Sequence, residues 1–265
     1  MRLAAMNRMG LTSVLAVAVI VGVVFGVHAR FDLDISALFF DPQTHLFRVN
    51  AQPWAQNLRA ASRVLITLIA APAGLAVIGK LIWPRRRMLI GGRAALFVIL
   101  TLALGPGVLA NVILKDHWGR TRPIDVTEFG GAGHFTPWWD PRGDCPNNCS
   151  FIAGEPSGAF WTLAPAALVP PQWRVLAYAG ALAFGAANGA LRIGAGGHFF
   201  TDVVFAGVFM YLLAWLLHGL IYRWGATRLS DATVESWFGR AGEALRGRAG
   251  GKDNAGGKDN KDQSA

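Results

Sequence analysis

Long apolar runs set the terms for this chain. Residues 11–27, 64–83, 94–114, 175–191 and 200–222 are dominated by aliphatic and aromatic side chains, and a shorter apolar run covers 157–169. A hydrocarbon layer about 30 Å thick is crossed by about 20 apolar residues of helix. There the backbone must satisfy its own hydrogen bonds, which a helix does. The pattern predicts an all-α polytopic membrane protein with about six transmembrane helices, the third to sixth forming a four-helix core. Composition agrees: only 15% of residues are charged, against about a quarter in soluble domains. The ten Trp and 32 Gly suit membrane interfaces and close helix packing. The formal charge of +9 is spread along loops between apolar spans, so nucleic acid is not an expected partner.

Charge asymmetry orients the spans. Arg85, Arg86, Arg87 and Arg93 fall in one short loop without an acid, the mark of a cytoplasmic loop. Six spans then put both termini on that side of a bacterial inner membrane. Segments 28–63 and 115–156 and the turn from Arg192 to His198 face the periplasm. The first span, preceded by Arg2 and Arg8, reads as a retained anchor rather than a cleaved signal peptide. Three regions are expected: 1–63, an anchor and periplasmic interfacial loop; 64–224, the membrane core, with Pro72 kinking its first helix; and 225–265, a cytoplasmic tail. The tail should hold a short amphipathic helix over Asp231–Leu245 and be disordered from about residue 247, where Gly, Lys, Asp and Asn cannot bury a core.

Reactive side chains sit at the periplasmic ends. Arg192, His198 and Asp202 lie in Arg-Ile-Gly-Ala-Gly-Gly-His-Phe-Phe-Thr-Asp. If the segment is helical from Phe199, four-residue spacing puts Asp202 on the face of His198. The carboxylate then takes the proton of one ring nitrogen and frees the other to attack. Lys115, Arg122 and Arg192 converge on one membrane face, as a phosphoryl group with three equatorial oxygens requires. Lys115 and Arg120 read in isolation would be snorkelling cations at a helix end.

The spacings Lys115-x6-Arg122-Pro123 and Arg192-x5-His198-x3-Asp202 resemble the type 2 phosphatidic acid phosphatase superfamily over roughly residues 31–222. The resemblance implies that His198 is the nucleophile, that Asp202 orients it, and that Lys115, Arg122 and Arg192 hold the phosphate. The family's middle motif is altered. In the register Ser150-Phe151-Ile152-Ala153-Gly154-Glu155, Ala153 replaces a phosphate-binding serine and Glu155 replaces the general-acid histidine. Gly154 keeps a backbone N–H for phosphate. Glu155 is expected to protonate the leaving oxygen and then deprotonate water; the other reading is a salt bridge or helix cap.

The expected activity is hydrolysis of a lipid-linked phosphate through a phosphohistidine, with no metal or cofactor and with membrane lipids as surroundings. Some lipid A phosphatases of the resembled family carry an acid at the Glu155 position, which favours lipid A. Undecaprenyl diphosphate, phosphatidylglycerol phosphate and phosphatidic acid are alternatives, as are a lipid phosphotransferase and a non-catalytic lipid-phosphate binder. Cys145 and Cys149 suit a short disulfide in the periplasm. His117 and His134 read as loop residues, and Asn111 and Asn188 as interhelical hydrogen-bond donors.

Overall fold

The computed structural model describes residues 6–50, 52–225, 227 and 229–255. Helix α1 (Arg8–Val27) is capped by the Asn7 side chain, which accepts from the Gly10 N–H. A short helix α2 (Arg30–Ala37) and a hairpin of β1 (Phe40–Asp41) and β2 (Leu46–Phe47) follow. Helix α3 (Pro53–Ile82) starts with proline, which suits a first turn because its missing N–H has no helical partner there. Pro72 lies inside α3. Helix α4 (Gly92–His117) contains a π-helical stretch, Ala103–Leu114, around Pro106.

A pair of short helices, α5 (Gly154–Phe160) and α6 (Leu163–Leu168), precedes α7 (Arg174–Gly194) and α8 (Phe200–Arg223). By length and composition, α1, α3, α4 and α8 can each cross a membrane. The α5–α6 pair and α7 pack among them: α5 lies on α7 and α8, α1 on α8, and α3 on α4. Small residues permit this closeness. A side chain at Gly185 would strike Phe160, and one at Gly189 would strike Val203. The core gathers Phe97, Phe151, Trp161 and Phe205.

Two expected boundaries differ. Helix α3 begins at Pro53 and runs through residue 63, so Arg59 and Arg63 sit on its first turns rather than in a loop. The tail helix α9 (Asp231–Ala255) continues beyond the composition-based end near 247; residues 256–265 lie outside the described residues. Near its start α9 docks on the arginine loop, where Glu235 accepts from Lys80 Nζ and from the Met88 N–H, and Asp231 pairs with Arg93. Lys80 and Arg93 thus mark one end of the bundle, and Arg59 and Lys115 the other.

Phe47, Val126, Phe129 and Phe199 form a second small cluster at that other end. It seats the β1–β2 hairpin and the 118–153 loop on the turn between α7 and α8.

Candidate active site

His198 occupies the turn between α7 and α8. Gly196 there has φ +68°, and Phe47 fills the space a side chain at 196 would need. At Gly197 a side chain would strike the Arg192 guanidinium. His198 is buried. Its Nδ1 lies 2.7 Å from the Ser150 carbonyl oxygen. A carbonyl only accepts, so the proton sits on Nδ1 and the lone pair on Nε2. Burial pushes the imidazole down to about 4, with Arg192 and Arg122 acting the same way and Asp202 opposing. The ring is therefore neutral at neutral pH, the form a nucleophile needs.

Asp202 does not take the His198 proton as its spacing suggests. Helix α8 starts at Phe200, so His198 lies before it and helical i, i+4 geometry does not apply. Nδ1 and Asp202 Oδ2 are 3.8 Å apart, beyond hydrogen-bond range. Asp202 instead accepts from Arg120, from the Ser150 hydroxyl and, at 2.8 Å, from the Phe199 N–H. It reaches the imidazole through Ser150, whose hydroxyl it holds and whose carbonyl holds the ring.

Arg120 is no snorkelling residue. It is wholly buried, donates to Asp32 Oδ2 (2.8 Å), Thr201 Oγ (2.8 Å) and the Thr136 carbonyl (2.9 Å), and lies 4.4 Å above the Phe199 ring. Asp32, Arg120 and Ser150 were not among the residues the spacings single out. The available signal was a pair of acids, Asp32 and Asp34, in the otherwise apolar run Phe31–Phe40, and a second arginine, Arg120, beside the Arg122 motif.

Lys115, in the last turn of α4, lies next to Gly154, the first residue of α5. A side chain at 154 would press on Asn111 and the Lys115 ammonium. Lys115 lies within electrostatic reach of Arg122 and Arg192. Arg192 is buried, and its Nε has no hydrogen-bond partner among the described residues. Arg122 is aimed by Asn148, donating to its backbone carbonyl at 3.1 and 2.7 Å and to its side-chain oxygen at 2.8 Å. Asn148 has φ +49°, which asparagine tolerates better than most residues. It sits inside the loop closed by the Cys145–Cys149 disulfide.

Glu155 accepts two hydrogen bonds from Arg59, at 2.9 and 2.7 Å, with Arg63 at 3.6 Å and Arg192 at 4.0 Å. Burial pulls its carboxyl up, but Arg59, Arg192 and Arg63 outweigh this and hold it below the ordinary range. Glu155 therefore rests as a carboxylate. Arg59 and Arg63, four apart on α3, were also passed over; an arginine pair one turn apart at the start of a membrane helix was the readable sign.

A cavity of about 260 Å³ opens beside this ion pair, lined by Arg59, Ser62, Asn111, Lys115, Glu155 and Asn188. Asn111 and Asn188 donate to carbonyls of their own helices, those of Pro106 and Phe184, rather than across helices as expected. The Ser157 hydroxyl is spent on the Ala153 carbonyl within α5 rather than offered to the site. His117 and His134 are exposed, with His117 bonded to carbonyls of its own helix.

The fold thus brings a neutral imidazole, a buried carboxylate and three cations to one end of a membrane bundle. The PAP2 superfamily profile matches residues 94–226, the stretch that contains Lys115, Arg122, Glu155, Arg192, His198 and Asp202. The chain belongs to the PAP2 superfamily. Over 200 residues it is 32% identical to a lipid A 4'-phosphatase of Francisella tularensis subsp. novicida (strain U112), covering 75% of this chain and 90% of that protein. A lipid A 4'-phosphatase of Rhizobium leguminosarum is 42% identical over 104 residues, 39% of this chain and 45% of that protein. One of Rhizobium etli is 40% identical over 102 residues, 38% and 40%. No solved structure matches the chain. This PAP2 protein is a bacterial membrane lipid phosphatase that hydrolyses a phosphomonoester.

Proposed function

We propose that this PAP2 phosphatase removes a phosphate from lipid A at the periplasmic face of the inner membrane. The observation that carries the reading is the Francisella lipid A 4'-phosphatase, 90% of whose length this chain covers. The cavity bordered by Arg59, Ser62, Asn111 and Asn188 supports it, because a sugar headgroup needs polar walls next to the phosphate cations. The arginine-rich end docked by α9 is cytoplasmic, with both termini, and the His198 end is periplasmic.

His198 Nε2 attacks phosphorus in line. The P–N bond forms as the P–O bond to the sugar breaks, and Nδ1–H stays on the Ser150 carbonyl. Lys115, Arg122 and Arg192 hold the three non-bridging oxygens, with the Gly154 N–H beside them. Glu155 supplies the proton to the departing oxygen. Its resting ion pair with Arg59 opposes protonation, and an arriving phosphate dianion reverses this. The dianion draws on the same arginines and sets a second negative charge beside the carboxylate, which raises its pKa. Water then attacks the phosphohistidine, the P–N bond breaks, Glu155 recovers a proton, and inorganic phosphate leaves. Side-chain cations neutralise the charge, so no divalent metal is required.

The test is phosphate release from lipid A, undecaprenyl diphosphate, phosphatidylglycerol phosphate and phosphatidic acid in detergent, with and without EDTA. Lipid A turnover that survives the chelator and disappears in His198→Ala, with a phosphoenzyme trapped under alkaline quench, is the expected result. Preference for another lipid would overturn the substrate. Loss with EDTA and recovery with magnesium would overturn the metal-free mechanism.

A further inference from the structure

We propose that Asp32, on α2 and outside the residues matched by the family profile, is a positioning residue for the phosphohistidine step. It acts on His198 through Arg120, Asp202 and Ser150. The proposal rests on the reading of His198 as nucleophile.

Arg120 is clamped between two carboxylates, Asp32 on one side and Asp202 on the other, and all three side chains are buried. Asp32 Oδ1 accepts from the Thr201 N–H at 3.0 Å, and Oδ2 accepts from Thr201 Oγ at 2.6 Å and from Arg120. Every bond Asp32 makes is one it receives. Although burial pushes its carboxyl up, that donor set fits a carboxylate.

The charge count gives the cluster its chemistry. Asp202 and Arg120 alone would form a neutral pair, with little left to stabilise a ring that becomes positive. Attack through Nε2 while Nδ1 keeps its proton leaves the phosphorylated ring cationic. Two carboxylates against one guanidinium leave one net negative charge behind Ser150, and Asp32 is its source. Geometry points the same way. Arg120 spends one nitrogen on Asp32 and another on Asp202 and Thr201, so Asp32 fixes the guanidinium that fixes Asp202. Asp202 fixes the Ser150 hydroxyl, and the Ser150 carbonyl fixes the imidazole.

Asp32 touches no residue proposed to hold phosphate, so its loss should spare substrate binding. The experiment compares the full-length protein with Asp32→Asn, Asp32→Glu and His198→Ala in detergent. It measures kcat, KM, phosphoenzyme formation in a single turnover, and Tm on the monodisperse fraction. Asp32→Asn is expected to lower kcat and the phosphorylation rate about 100-fold, the scale of a misplaced catalytic group, with KM changed less than about twofold. Asp32→Glu, which keeps the charge, should recover part of the rate. An unchanged kcat in folded Asp32→Asn, with His198→Ala inactive, would overturn the role of Asp32 alone. Activity in His198→Ala would overturn the underlying reading instead. A rise in KM without loss of kcat would also sink the proposal. Should Asp32→Asn yield no folded fraction, Thr201→Val keeps both charges and removes the hydroxyl between Asp32 and Arg120. A fall in kcat of about tenfold at constant KM is expected there, and an unchanged kcat rejects the proposal.

Discussion

Arg59 and Glu155, 96 positions apart in sequence, share two charge-assisted hydrogen bonds at the edge of the proposed phosphate site. This pair brings a helix that the family profile does not reach, α3, to the wall of the candidate site. It also sets the resting protonation of the proposed proton donor. Arg59→Gln should let the Glu155 carboxyl rise toward its ordinary value, because the ion pair is what holds it down. The limb of the kcat/KM profile governed by Glu155 then moves to higher pH. Glu155→Gln, which can neither give nor take a proton, should lower kcat by about 10²-fold to 10⁴-fold. A variant with wild-type kcat would assign Glu155 to structure.

The imidazole of His198 should stay unprotonated far into the acid range. Its value is pushed down to about 4, so the nucleophilic form persists above that pH. The acid limb of kcat/KM belongs near pH 4 rather than at the ordinary 6.5. In stability the sign is the same. Between the two values the unfolded chain binds a proton that the folded one does not, so this group's contribution falls as pH drops from 6.5 toward 4. A profile in stable detergent, with Tm at each pH, checks both.

Arg120→Met should be a folding defect before it is a kinetic one. It strands Asp32 and Asp202 in a buried site, and removing one partner of a buried ion pair costs about 3–5 kcal/mol. A large fall in Tm is expected, partly restored in the double variant Arg120→Met with Asp32→Asn. Absence of any Tm change would mean that the pair is solvated.

Reduction of Cys145–Cys149 should weaken substrate binding more than turnover. The disulfide closes the loop that holds Asn148, and Asn148 aims Arg122. Freed from it, Arg122 loses orientation toward phosphate, and KM should rise several-fold with kcat less affected. Kinetics with and without dithiothreitol, set against Cys145→Ser with Cys149→Ser, separate this from a general loss of fold.

Helix content and the gathering of Lys115, Arg122 and Arg192 were legible in the sequence because each rests on local spacing. Apolar length gave α1, α3, α4 and α8, and the Lys115, Arg122, Arg192 and His198 spacings named residues that the fold gathers at one end. What escaped depends on contacts between distant segments. Asp32 looks like any acid in an interfacial stretch until Arg120 is found against it, 88 positions away. Asp202 was assigned the right neighbourhood and the wrong bond, because the start of α8 at Phe200 decides its geometry. The extent of α3 was underread because Arg59 and Arg63 suggest a polar loop, whereas Glu155 offsets the charge of both.

The Asp32–Arg120–Asp202 cluster also has a consequence for biogenesis. Asp32 leaves the ribosome early, Arg120 midway and Asp202 later, and the burial of the Arg120 guanidinium is fully compensated only once both carboxylates are in place. The cluster is therefore complete only when α8 has joined the bundle. A chain in which α8 has not yet inserted carries Lys115 and Arg122 without the Asp202 contact that, in the proposed mechanism, seats His198 through Ser150.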